Sequence, residues 1–150
     1  MTNKTDGFYT MKGYQLNEEI GLTSAMEDYL EMICRILKKN NKVSVSELSV
    51  MLHVKPSSVS KMIQHLNSSG YIQAEKYGVI SITKKGEAVG NYLLYRHNVI
   101  HKFLCVLNHS ENELEETEKI EHFLSRTTVE NLNKLTQLMI NNKKKIMKTD

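Results

Sequence analysis

The stretch VSVSELSVMLHVKPSSVSKMIQHLNSSGYIQAEKYGVISIT, residues 43–83, decides the fold. Ser44 or Ser46 supplies a side-chain oxygen that caps a helix start, and Leu48, Met51 and Leu52 then fall on one face of a short helix. Pro56 suits the first position of a second helix, where its missing N–H costs nothing. Val59, Met62, Ile63 and Leu66 give that helix a buried side, and Gly70 stops it. The remainder, YIQAEKYGVISIT, reads as two short β-rich runs with a turn around Tyr77 and Gly78. Helix, turn, helix and hairpin make a winged helix-turn-helix with a two-stranded wing.

Outward from this stretch the chain is helical. Thr23 or Ser24 caps a helix that runs to about Lys39, with Met26, Tyr29, Leu30, Ile33 and Leu37 on one stripe. After the hairpin, Val89, Leu93, Ile100, Phe103, Leu104 and Leu107 predict a long helix from Lys84 to about Leu107. Residues 112–124 read as an amphipathic helix with Leu114, Ile120, Phe123 and Leu124 inward. A last helix begins near Thr128, carries Val129, Leu132, Leu135, Leu138 and Met139, and ends in a basic, frayed KKKIMK tail. The expected class is mainly α, with three regions: a flexible arm at 1–20, a winged-helix DNA-binding domain at 21–88, and an all-α metal-binding and dimerisation domain at 89–150.

The recognition face follows from the same reading. In a helix-turn-helix the second helix enters the major groove, so its outer side needs small polar and basic groups. Ser57, Ser58, Ser60, Lys61, Gln64 and His65 lie opposite the apolar stripe. Serine hydroxyls bond phosphates or bases and glutamine pairs with adenine, so Ser57, Ser58, Ser60, Lys61 and Gln64 are the expected DNA contacts, with Lys76 and Tyr77 at the wing tip reaching the backbone. The bland counterpart is a helical hairpin with a polar exterior. Charge distribution favours nucleic acid: residues 55–96 carry six basic side chains against Glu75 and Glu87, within a net charge of only +3 for the chain.

Composition sets further bounds. A chain of 150 residues with 40% hydrophobic content buries a genuine core. No apolar run approaches the roughly 20 residues that span a bilayer, and MTNKTDGFYTMKGYQ has no signal-peptide core, so a cytoplasmic location and no membrane partner are expected. Cys34 and Cys105 stand far apart, which suggests neither a disulfide framework nor a zinc knuckle; both read as buried thiols, with Cys34 assigned to the core.

Three helical segments place carboxylates and imidazoles at helical spacing. Asp28 and Glu31 are three residues apart; Glu118, Glu121 and His122 share a face; His97 lies four residues beyond Leu93 on an otherwise apolar side. Helical bundles build metal sites from such spacings, although glutamates of this kind more often face water and a single histidine more often sits hydrogen-bonded in a core.

Taken in order, MEDYLEMI, PSSVSKMIQHL, EKYGVISITKKG, YRHNVI and EKIEHFLS resemble the short, two-domain manganese regulators of the DtxR/MntR family over about residues 23–125. The resemblance implies a metal set of Asp28, Glu31, His97, Glu118, Glu121 and His122. Iron-sensing relatives place a methionine and a cysteine at the positions of Asp28 and Glu118, so the resemblance points to Mn²⁺, two ions per subunit bridged by a carboxylate, with Cd²⁺, Fe²⁺ or Zn²⁺ as surrogates. Phe123 departs from relatives that carry a second histidine after the first. The implied protein is a homodimeric, manganese-dependent repressor of manganese-uptake genes that binds operator DNA, is not an enzyme and takes no small organic substrate. Its rivals are an iron-dependent repressor of the same family, a ligand-responsive winged-helix regulator with an acidic surface, and a carboxylate-bridged dimetal enzyme, for which a winged helix has no use.

Overall fold

The computed structural model describes residues 21–75 and 78–148. Residues 1–20, expected to form an arm, and Lys76 and Tyr77, expected at the wing tip, lie outside the described residues.

The first helix, α1 (Ser24–Lys39), starts where the Thr23 hydroxyl accepts the Met26 N–H, so Thr23 rather than Ser24 is the cap. Leu30 and Ile33 are fully buried on its inner side. In α2 (Val45–Leu52) the Ser44 hydroxyl accepts the Glu47 N–H, and His53 ends the helix in the left-handed region. Pro56 opens α3 (Pro56–Ser68), whose buried residues are Val59, Ile63 and Leu66. Gly70, at φ 79°, turns the chain into β1 (Ile72–Ala74). This strand pairs antiparallel with β2 (Ile80–Ile82) in the register Ile72 to Ile82 and Ala74 to Ile80. Leu48, Val59, Ile63, Leu66, Ile72 and Ile80 close one core with Leu30 and Ile33. The winged helix expected from residues 43–83 is therefore present.

The long helix α4 (Lys84–Asn108) is locked to the wing at its start. The Thr83 hydroxyl accepts the Gly86 N–H at 3.0 Å and donates to the Gly70 carbonyl at 2.7 Å. Two positions in its first turns have no room for a side chain: a Cβ on Gly86 would stand 1.8 Å from the Tyr71 carbonyl oxygen, and one on Gly90 would stand 2.1 Å from Cys34 Sγ. Backbone cannot retreat as a flexible side chain can, so Gly86→Ala is expected to cost about 2–4 kcal/mol in urea unfolding. A loss below about 0.5 kcal/mol would show that the contact relaxes freely. Cys34 is buried as expected, and burial pushes its thiol up to about 11, well away from thiolate chemistry at neutral pH.

Beyond α4 come α5 (Leu114–Ile120), a 3₁₀ turn (Glu121–Phe123) and α6 (Arg126–Lys148). Two expectations need correcting here. The segment 112–124 is not one helix: it breaks at Ile120, and Leu114 and Phe123 are exposed rather than inward. The tail does not fray at KKKIMK, because α6 remains helical to Lys148. α4 packs against α6 on one side and α1 on the other, so one rod joins the winged helix to the C-terminal helices. No helix among the described residues is long and apolar enough to cross a membrane.

Candidate functional site

The junction between α1, α4 and the 3₁₀ turn gathers the charged side chains. α1 supplies Asp28 and Glu31, spaced by three so that both leave the helix on neighbouring faces. His97 projects from the buried side of α4. Tightening of the backbone after Ile120 turns both Glu121 and His122 inward, and Glu121 is only 2% exposed.

The geometry forms two sets that share one residue. Asp28, Glu121 and His122 each offer a donor atom within 4.8 Å of the others, and so do Glu31, His97 and Glu121. His97 Nδ1 lies 2.8 Å from Glu121 Oε2, and His122 Nε2 lies 2.9 Å from Asp28 Oδ1 and 3.9 Å from Glu121 Oε1. Thus five of the six expected ligands converge. Glu118 does not join either set: it is exposed on α5, where it borders a cleft of about 600 Å³ also lined by Glu31, Arg35 and His97. The break at Ile120 removes it from the face that a continuous helix would have shared among Glu118, Glu121 and His122.

Electrostatics follow from burial. The hydrogen bond that Glu121 accepts raises the basicity of His97 above the ordinary imidazole value, against the opposing effect of burial. Burial by itself would also lower that of His122, but Asp28 and Glu27 outweigh it and hold the ring up to about 10. Burial raises the Glu31 carboxyl, the nearby Glu121 adds to this, and Arg35 at 3.3 Å pulls the other way. Two imidazoles thus sit among converging carboxylates.

That donor set fits a hard or borderline divalent ion. Four acidic oxygen donors and two imidazoles, counting Glu118 at the rim, suit Mn²⁺ or Fe²⁺ and lack the thiolates that soft ions prefer. Neither cysteine belongs to a converging set among the described residues. Sequence reasoning missed Glu27 and Arg96, a buried ion pair beside His122. A signal was available. Arg96 follows Leu93 by three and precedes Ile100 by four, and a charged residue on an apolar stripe requires a buried partner.

On the opposite end of the winged helix, Ser57, Ser58, Ser60, Lys61, Gln64 and His65 all lie exposed along α3 while Val59, Ile63 and Leu66 face the core. The outer side of the second helix thus presents a continuous polar and basic face.

A winged helix joined by one long helix to a helical unit, with paired carboxylate and imidazole sets at the junction, defines a DNA-binding protein with a candidate metal centre. Residues 21–80 match the model for the iron dependent repressor N-terminal DNA binding domain, and residues 83–141 match that for its metal binding and dimerisation domain. The HTH-type transcriptional regulator MntR of Bacillus pumilus (strain SAFR-032) is 36% identical over 116 residues, covering 77% of this chain and 81% of that protein. MntR of Geobacillus thermodenitrificans (strain NG80-2) is 35% identical over 125 residues, covering 83% and 89%. The chain belongs to the DtxR/MntR family of iron-dependent-repressor-like transcriptional regulators. Among solved structures, the manganese regulator SloR aligns with a TM-score of 0.68 at 28% identity over 77% of this chain, and the metal-dependent transcriptional regulator MtsR with 0.67 at 30% over 77%. The chain spans about half, 55%, of the length of each of these two.

Proposed function

We propose that the chain is a manganese-dependent transcriptional regulator whose metal-loaded homodimer binds operator DNA in the cytoplasm and represses manganese-uptake genes. The observation that carries this reading is the pair of donor sets that meet at Glu121, one with Asp28 and His122, the other with Glu31 and His97. The two sets would hold two ions per subunit, with Glu121 as the carboxylate common to both. Glu118, exposed at the cleft rim, would be the sixth ligand. Cd²⁺, Fe²⁺ and Zn²⁺ are surrogates that the same donors accept.

A bound divalent cation supplies positive charge where carboxylates from both domains converge. Asp28 and Glu31 belong to the helix that backs the DNA-reading unit, while Glu121 and His122 belong to the C-terminal part. Engaging all of them fixes one domain against the other. To the extent that this arrangement is the one that fits DNA, operator binding tightens metal binding in return. The recognition contacts assigned to Ser57, Ser58, Ser60, Lys61 and Gln64, with Lys76 and Tyr77 on the wing, then meet the groove and its phosphates. Leu135 and Leu138 are exposed along α6, an apolar surface suited to a two-fold partner that would present two recognition helices to a pseudo-palindrome.

Selection of duplexes from a random pool, followed by mobility-shift titration, tests the reading. Binding is expected to strengthen at least tenfold when Mn²⁺ is added and to be lost on chelation. Activation by Fe²⁺ but not by Mn²⁺ would replace manganese with iron, and metal-independent binding would leave a regulator governed by another ligand.

A further inference from the structure

Glu27 and Arg96 form an ion pair whose side chains are 5% and 4% exposed, bringing together residues 69 positions apart. Burying such a pair is a poor source of stability, because desolvation consumes most of the attraction. Its placement supplies another reason. Arg96 Nη2 donates to Glu27 Oε2, and His122 Nδ1 lies 3.2 Å from the same oxygen and 3.4 Å from Arg96 Nη2, so the carboxylate is the one acceptor that both nitrogens approach. The other ring nitrogen, Nε2, faces Asp28 and Glu121. Glu27 itself belongs to neither converging donor set.

We propose that Glu27 is a positioning residue for His122: it holds the proton on Nδ1 and thereby keeps Nε2, the nitrogen that would give up its proton to a cation, turned toward the Asp28 and Glu121 carboxylates. Arg96 keeps Glu27 in that role. By engaging the carboxylate from the side of α4, it neutralises a negative charge that would otherwise join the donor set. A histidine ligand whose second nitrogen donates to a carboxylate is fixed in tautomer and orientation, and loss of such a partner commonly weakens metal binding 10- to 100-fold. The arrangement spans three elements, since Glu27 is on α1, Arg96 on α4 and His122 in the 3₁₀ turn. This inference rests on the metal-centre reading above.

The test replaces the pair as a unit in the full chain. Glu27→Leu combined with Arg96→Leu removes both charges and leaves an apolar pair of similar bulk, which a purely structural fastener tolerates. Mn²⁺ binding is measured by calorimetry beside wild type and Asp28→Asn, together with the melting temperature of each protein under chelator. The expected result is a metal-free protein that melts cooperatively, below wild type only by the lost contact to His122, with Mn²⁺ affinity reduced 10- to 100-fold. A double variant that binds Mn²⁺ as wild type does overturns the proposal. Wild-type protein that fails to bind Mn²⁺ overturns the metal-centre reading first, and this one with it. If the double variant does not fold, Glu27→Gln decides: its amide oxygen accepts the same Nδ1 bond, so affinity is expected to fall less than tenfold, whereas a loss equal to that of Asp28→Asn makes Glu27 a ligand and overturns the positioning role.

Discussion

Glu121→Ala is expected to lower Mn²⁺ affinity by more than about a hundredfold and to abolish metal-dependent operator binding, the largest loss of any single substitution at the centre. Among the described residues it is the one side chain common to both donor sets, so its removal damages both sets at once. The same change also strips His97 of its 2.8 Å partner and deletes a buried carboxylate, so the metal-free protein loses about 1–3 kcal/mol as well. Glu121→Gln separates these effects: it keeps the volume and a hydrogen-bond acceptor while removing the charge that a cation needs. Glu118→Ala provides the contrast, since that residue lies exposed at the cleft rim and its loss is expected to be several-fold smaller. Calorimetric Mn²⁺ titration of the three variants checks the order. Equal losses at Glu118 and Glu121 would refute the shared-residue geometry.

The second large effect is a pair of opposite responses to pH. With His122 held up to about 10 in the metal-free fold and near 6.5 when unfolded, its ion pairs contribute their full stability below pH 6.5. That contribution disappears as pH rises through the folded value. Metal-free protein is therefore expected to lose about 2–4 kcal/mol between pH 6.5 and 10, and His97 contributes in the same direction. Metal affinity runs the other way. His122 Nε2 would have to release its proton to hold a cation, so apparent Mn²⁺ affinity is expected to climb toward tenfold per pH unit across pH 6.5–8.5. Urea unfolding under chelator and Mn²⁺ titration across the same range test the two slopes. Stability and affinity that are both flat, or a His122→Ala variant with the wild-type slopes, would refute the assignment.

Much of this was legible in the residues. Pro56, Gly70 and the apolar spacing of Val59, Ile63 and Leu66 carry strong local rules, and the observed recognition helix follows them closely. Asp28 and Glu31 stood out because a regular helix makes a spacing of three meaningful. The break after Ile120 was not legible, because periodicity alone scores residues 112–124 as one amphipathic helix and so sets Glu118 with Glu121 and His122 on a common face. Only packing against α4 shows that a tight turn carries the last two inward while Glu118 stays outside. Glu27 was hidden for a different reason. An acidic residue in a first helical turn ordinarily serves the helix dipole, and its arginine partner lies 69 positions away.

The ion pair between Arg35 and Glu31 gives the resting centre a further property. One carboxylate of the second donor set already has a guanidinium as counterion, tethered one helical turn away and partly open to solvent. A divalent ion entering beside Glu31 would meet a carboxylate whose charge is already partly countered. The affinity of that donor set would then depend on Arg35 as well, a residue that need touch no ion.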